Sequence, residues 1–108
     1  VQPLDNLPPN LKTLTTNVCR VPLDYLPQGL TKLVIGAFYK FPLQNLPNTI
    51  KSLELFCAYN GSLDMLPDSI EFLDIRSYYK KINKLPANLK KIIIYHLYEY
   101  KEYLKIIK

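Results

Sequence analysis

Aliphatic side chains recur along this chain in a pattern that repeats about every 20 residues. Each unit reads aliphatic-x-x-Leu-Pro-x-x-aliphatic-x-x-aliphatic-x-aliphatic, and the Leu-Pro pairs begin at residues 7, 26, 46, 66 and 85. The four intervals are 19, 20, 20 and 19 residues. Of the 25 aligned aliphatic positions, 24 are Leu or Ile, and Thr16 is the exception. Repetition at this period predicts a solenoid of stacked units rather than a compact domain with its own pocket.

The last part of each unit predicts a β-strand. Its aliphatic residues alternate with period two, which is the spacing of a strand. β-Branched residues, as in Val34-Ile35 and Ile92-Ile93-Ile94, favour the same structure. Since no unit can bury its own apolar face, we expect successive strands to pair in parallel and share one core.

The Leu-Pro part predicts the return side of each coil. Proline lacks an N–H group and cannot lie inside a central strand. Eight of the nine prolines occupy one of two repeat columns, and Pro9 is the exception. We therefore expect an extended, polyproline-like or short 3-10 segment on a convex side, opposite a concave parallel sheet.

The pattern resembles leucine-rich repeats, and among them the FNIP repeats, Leu-Pro-x-x-Leu-x-x-Leu-x-Leu-Gly-x-x-Phe-Asn-x-Pro-Leu. The resemblance covers residues 3 to about 95, and Tyr59-Asn60 and Tyr78-Tyr79-Lys80 keep part of the aromatic signature. The short Leu-Pro repeats of secreted bacterial effectors are also similar. The second unit is the closest to FNIP, with Leu26-Pro27, Leu30, Leu33, Ile35 and Gly36, then Phe38-Tyr39-Lys40-Phe41-Pro42-Leu43.

The resemblance implies a role in protein recognition. In some FNIP proteins an F-box precedes the repeats, which then form the target-recognition part of a ubiquitin-ligase adaptor. These 108 residues contain no F-box, so for this chain that role is an analogy. Because the chain opens inside a repeat without a polar cap, we expect it to be a fragment of a longer protein.

Two regions are predicted. Residues 1–96 form five repeats of 19–20 residues, and 97–108 form a C-terminal cap. Leu97, Tyr100, Leu104 and Ile107 recur at helical spacing, which predicts a short amphipathic helix over about 97–107. Its simplest role is to cap the solenoid, while docking to a partner or membership of a longer domain are alternatives.

The net charge of +5 is unevenly placed along the chain. Residues 1–76 hold six Lys or Arg against seven acids, whereas 77–108 hold eight Lys against two acids. The basic end could face an acidic partner, RNA or an anionic lipid. A solvated terminus is the simpler interpretation, because no nucleic-acid motif accompanies the lysines.

The two cysteines bear on the compartment. Cys19 and Cys57 are 38 residues apart, or two units, so stacked strands would hold them about 10 Å apart. That distance exceeds the disulfide limit. We therefore expect both thiols to be reduced, which indicates an intracellular, cytoplasmic protein. No secretion signal and no apolar run long enough for a transmembrane helix is recognisable in these residues.

The sequence predicts no enzyme and no cofactor. Glu54 and Asp74 would lie about 5 Å apart on neighbouring strands, a separation used in glycoside hydrolysis. That chemistry also needs a cleft that raises one pKa, which an open sheet does not supply. His96 has no partner ligands close in sequence for a metal, and no catalytic triad or phosphate-binding loop is present.

Residues that alternate with the buried aliphatics should project from the concave face. Aromatic residues grouped with arginine are typical of interface hot spots. Alternatively, Phe56 and Tyr95 fold over the turn and close the core. The predicted partner-binding residues are Glu54, Phe56, Phe72, Asp74, Arg76, Lys91 and Tyr95.

These observations favour a non-enzymatic protein-interaction module whose partner binds on the concave face. A second hypothesis is a structural or assembly protein that packs through its edge strand or convex face. A third is binding of RNA or another polyanion through the lysine-rich C-terminal end.

Overall fold

Five parallel strands form one sheet, in chain order, in the computed structural model. The structure describes residues 7–18, 20, 22–56, 59–76, 78 and 80–94. Each strand pairs in parallel with the next, so the chain makes one coil per repeat and forms a β-solenoid. This confirms the predicted repeat architecture and parallel sheet. The strands are β1 Thr13–Val18, β2 Lys32–Ala37, β3 Ser52–Leu55, β4 Phe72–Asp74 and β5 Lys91–Ile93.

The register of the sheet follows the sequence columns. Leu14 pairs with Leu33, Leu33 with Leu53, Leu53 with Leu73, and Leu73 with Ile92. The three central members of this column are fully buried. Residues of one column stack on each other, so each coil meets equivalent side chains in the adjacent coils. The coils thereby share a continuous core of Leu and Ile.

A hydrogen-bonded turn follows each proline of the Leu-Pro pairs. The proline carbonyl accepts a hydrogen bond from the N–H three residues later, at 3.2–3.3 Å. The chain therefore turns toward the strand directly after the proline. No 3-10 helix lies in the described part of the chain. The five donor residues are Leu11, Leu30, Ile50, Ile70 and Leu89.

Hydroxyl side chains connect successive coils just before the strands. Thr31 donates to the carbonyl of Lys12 at 3.0 Å, and Thr49 donates to that of Leu30 at 2.7 Å. Ser69 likewise donates to the carbonyl of Ile50, in the preceding coil, at 2.7 Å. Because these bonds satisfy backbone carbonyls where the chain enters the sheet, they help hold each coil in register.

A column of tyrosines extends the core beyond the aliphatic residues. Tyr39, Tyr59 and Tyr78 are all buried, and their ring centroids lie 5.9 Å and 6.5 Å apart in sequence order. The hydroxyl of Tyr59 donates to the carbonyl of Phe41 at 2.7 Å, and that of Tyr78 donates to Gly61 at 2.8 Å. These three tyrosines therefore belong to the core and also bond the preceding part of the chain.

The predicted helix over 97–107 lies outside the described residues, as do Cys19, Cys57, Tyr95 and His96. Within the described ranges there is no helix of any length. No described helix therefore has the length and apolar character that crossing a membrane requires.

Candidate functional site: an aromatic and charged sheet face

The sheet has one face that is not covered by the core, which we call the open face. It carries the side chains that alternate with the buried Leu and Ile column. Strand pairing places these residues in two columns across β2 to β5. The first column contains Lys32, Ser52, Phe72 and Lys91, and the second contains Val34, Glu54, Asp74 and Ile93.

Glu54 pairs with a lysine on the neighbouring strand. Its Oε2 lies 3.4 Å from Nζ of Lys32, so β3 and β2 are linked across the open face. The glutamate side chain is 20% exposed and the lysine side chain is 47% exposed. The ammonium group therefore lies further out than the carboxylate.

Asp74 lies on the open face but beneath the side chain of Arg76. The guanidinium donates twice, from Nε to Oδ1 at 2.9 Å and from Nη2 to Oδ2 at 2.6 Å. Only 2% of the Asp74 side chain remains exposed, against 37% of the Arg76 side chain. A two-bond pair of this kind compensates a buried carboxylate and holds the guanidinium plane in one orientation. Asp74 is thus a positioning group and is not accessible to a partner.

Arg76 also lies over the ring of Phe56, which directly follows the neighbouring strand β3. Its Cζ is 5.3 Å from the ring centroid, within the range of a cation–π contact. The Phe56 ring is 44% exposed and does not fold into the core. Nζ of Lys91 lies 6.0 Å from the centroid of Phe72 in the same way. The structure therefore brings together all the predicted site residues that it describes.

One aromatic–arginine pair was not expected from the sequence. Phe38 is 62% exposed, and Cζ of Arg20 lies 4.6 Å from its ring centroid. Phe38 also has a φ of 68°, a strained conformation for a bulky residue. The strand register could have predicted this pair. Val18 pairs with Ala37, Arg20 lies two residues after Val18, and Phe38 directly follows Ala37.

Three lysines near the C-terminal end of the described chain contact the coil before theirs. Lys84 lies 3.9 Å from Asp68, and Lys90 lies 3.5 Å from Glu71. Nζ of Lys80 donates to the carbonyl of Asn60 at 2.6 Å. These contacts direct part of the predicted basic surface toward the protein itself.

A shallow pocket lies on the return side of the coils and has a volume of about 190 Å³. Lys40 is its one charged lining residue, beside Pro42, Tyr59 and Met65. It therefore has no carboxylate pair. In the parts of the chain that are described, no three His, Cys, Asp or Glu residues are grouped so that they could hold a metal ion.

No family model matches this chain, and no curated protein and no solved structure matches it. The fold and the site define a class of protein, namely a parallel β-solenoid with an open face of aromatic residues and cations. Any more specific function must be argued from these residues.

Proposed function

We propose that this chain is a non-enzymatic recognition module of the leucine-rich-repeat type, close to the FNIP repeats, and that a protein partner binds across its open face. The observation that carries the proposal is the exposed ring of Phe56 beneath the guanidinium of Arg76. Aromatic and arginine side chains dominate interface hot spots.

The buried carboxylate of Asp74 adds to this argument. It holds the guanidinium of Arg76 before any partner arrives. A side chain that is already ordered loses less conformational entropy on binding, and this loss is a main cost of association. The pair therefore supports a surface built for binding, whereas an isolated exposed aromatic would not.

The same contacts argue against catalysis. Acid–base catalysis needs a carboxyl group that can reach a substrate. Glu54 contacts Lys32, and Asp74 is buried beneath Arg76. The carboxylates therefore serve to position cations.

The resemblance to FNIP repeats extends the proposal by analogy. Repeats that follow an F-box select the target of a ubiquitin-ligase adaptor, and a cytoplasmic location would suit that role. The open face would then be the target-binding surface.

Photocrosslinking tests the proposed surface directly. Phe56 is replaced by photoreactive benzoylphenylalanine, and Tyr25, which is 83% exposed on the return side, receives the same replacement as a matched control. We expect Phe56 to crosslink one defined protein in a cell extract and Tyr25 not to do so. Crosslinks of equal pattern at both positions would contradict the proposal.

The identified protein then permits a quantitative test. With the purified partner, Phe56→Ala should weaken binding by about 2 kcal/mol, as expected of a hot-spot residue. Tyr25→Ala should leave the affinity within about twofold. Titration calorimetry measures both, and circular dichroism confirms that each variant keeps its sheet.

Assembly through an edge strand is a second candidate, because one observation favours it. β1 is one of the two longest strands, and only β2 pairs with it among the described residues. An unpaired edge is a template for another strand. Light scattering across a range of protein concentrations would show growth of oligomers if this is the main role.

A further inference from the structure

The charges of the open face are layered. In both ion pairs of this face, the cation is more exposed than the acid that it contacts: 47% against 20% for Lys32 and Glu54, and 37% against 2% for Arg76 and Asp74. A partner therefore meets ammonium and guanidinium groups first. The face presents positive charge although its formal charges nearly balance.

Two further cations strengthen this field. Lys91 lies on the open face over Phe72, and Arg20 lies over Phe38 beside the end of β2. Both side chains are exposed. Among the described residues, no carboxylate lies within ion-pair distance of either one.

Each of the three described aromatic rings on the open face or at the end of β2 has a cation over it. The three pairs are Phe38 with Arg20, Phe56 with Arg76, and Phe72 with Lys91. Proteins that bind single-stranded nucleic acid use open aromatic faces on which bases stack. Here those faces are occupied by the protein's own cations, while the exposed parts of the rings remain available for apolar contacts.

We propose that the open face binds an acidic protein segment in which carboxylate side chains alternate with apolar ones. The carboxylates meet Arg20, Lys32 and Lys91, and the apolar side chains pack against Phe38 and Phe56. This inference rests on the proposed function, and it names the chemistry of the partner. The cations over the rings leave less room for stacked bases, which favours an acidic protein segment over a nucleic acid.

The test uses the whole chain and defined probes. The first probe is a labelled peptide in which Glu alternates with Leu, long enough to cross the five strands, or about 20 Å. A peptide with Lys in place of Glu and a labelled oligothymidylate are the comparison probes. Fluorescence polarisation measures the affinity of each at low and at moderate salt.

We expect the Glu-Leu peptide to bind at least about tenfold more tightly than the Lys-Leu peptide, and salt to weaken its binding. Reversing the charge of Lys91 on the open face and of Arg20 beside the end of β2, as Arg20→Glu with Lys91→Glu, should lower its affinity by at least about tenfold. The matched control reverses two exposed lysines on the return side, Lys40→Glu with Lys81→Glu, and should change it by less than about threefold.

Three outcomes would overturn the inference. Equal affinity for the two peptides, including no binding of either, removes the case for an acidic partner. An equal effect of the two double variants shows that only net charge matters. Tighter binding of oligothymidylate, lost on reversing Arg20 and Lys91, makes the face a polyanion site.

The crosslinking experiment separates this inference from the proposed function. If binding of the crosslinked protein depends on Phe56 but does not change on charge reversal at Arg20 and Lys91, the open face recognises a partner that is not acidic. If neither change affects partner binding, both proposals fail.

Discussion

At the scale of single residues, Gly36 shows how closely the first two strands approach. A Cβ atom at this position would lie 2.2 Å from the carbonyl oxygen of Asn17 and 2.3 Å from that of Thr16. Both oxygens belong to the backbone of β1, which is paired with β2. Neither can move aside without disturbing the sheet, so only glycine fits here.

Gly36→Ala should therefore destabilise the protein, by about 1–3 kcal/mol as for an overpacked core. Gly29→Ala is the matched control, because its Cβ would meet only the flexible end of Lys12, at 3.2 Å. That control should change the free energy of unfolding by less than about 0.5 kcal/mol. Urea denaturation measures both, and equal losses would refute the close approach at Gly36.

Thr16 is the one polar residue in the aliphatic columns, and its contacts explain the exception. Its hydroxyl donates to the carbonyl of Val34 at 3.1 Å and accepts from the N–H of Gly36 at 3.2 Å. The side chain thus adds two hydrogen bonds between β1 and β2 beside the close contact at Gly36.

Restoring the aliphatic pattern with Thr16→Ile should lower stability, by about 1–2 kcal/mol, because the N–H of Gly36 loses its partner. The repeat pattern by itself predicts that Thr16→Ile raises stability. Thr15→Ile, on the exposed side of the same strand, serves as the control for strand propensity. Thermal or urea unfolding decides the sign, and a stabilised Thr16→Ile would show that the hydroxyl bonds contribute little.

At the scale of elements, the coils are joined by side chains as well as by the sheet. Asp64 shows this between the fourth and fifth repeats. Its carboxylate accepts hydrogen bonds from the N–H of Asn83 at 2.8 Å and that of Lys84 at 3.2 Å. The backbone hydrogen bond from Asn83 is the main cause that holds the pKa of Asp64 below its ordinary value of 3.8.

This lowered pKa predicts a pH-dependent contribution to stability. The folded form favours the charged carboxylate, so the contribution is complete above about pH 3.8 and is lost as the pH falls through the lower folded pKa. We expect Asp64→Asn to be less stable than the parent near neutral pH. The difference should shrink below pH 3.8, as measured by urea unfolding at several pH values. A difference that stays constant down to pH 2.5 would contradict the assignment.

At the scale of the whole molecule, stability depends on how many neighbours a coil has. Leu53 and Leu14 occupy the same column, but Leu53 lies in the middle coil and is fully buried, whereas Leu14 in β1 is only partly buried. In a solenoid, each coil contacts only the adjacent ones. The same side chain should therefore contribute differently at the two positions.

Leu53→Ala should destabilise the protein by about 2–5 kcal/mol, the range for a leucine deleted from a core. Leu14→Ala should have a smaller effect, because less surface is buried there. Urea unfolding followed by circular dichroism measures the two values. Equal losses of unfolding free energy would contradict the view that each coil is stabilised only by the adjacent coils.

The sequence by itself determined the coil, the strands and the register. A spacing of 19–20 residues puts Leu33, Leu53 and Leu73 beside one another, because the hydrophobic column must face one core. The same spacing placed Glu54, Phe56, Phe72, Asp74, Arg76 and Lys91 at one face of the sheet. The alternation of a strand is enough for that prediction.

Only the tertiary structure decided what those open-face residues do. It buries Asp74 beneath Arg76, sets the guanidinium over Phe56, and pairs Phe38 with Arg20. These contacts depend on side-chain rotamers and on competition among neighbours from different coils, and repeat spacing carries no information on either. The backbone follows from the repeat period, whereas the contacts of the open face follow from side chains that differ from one coil to the next.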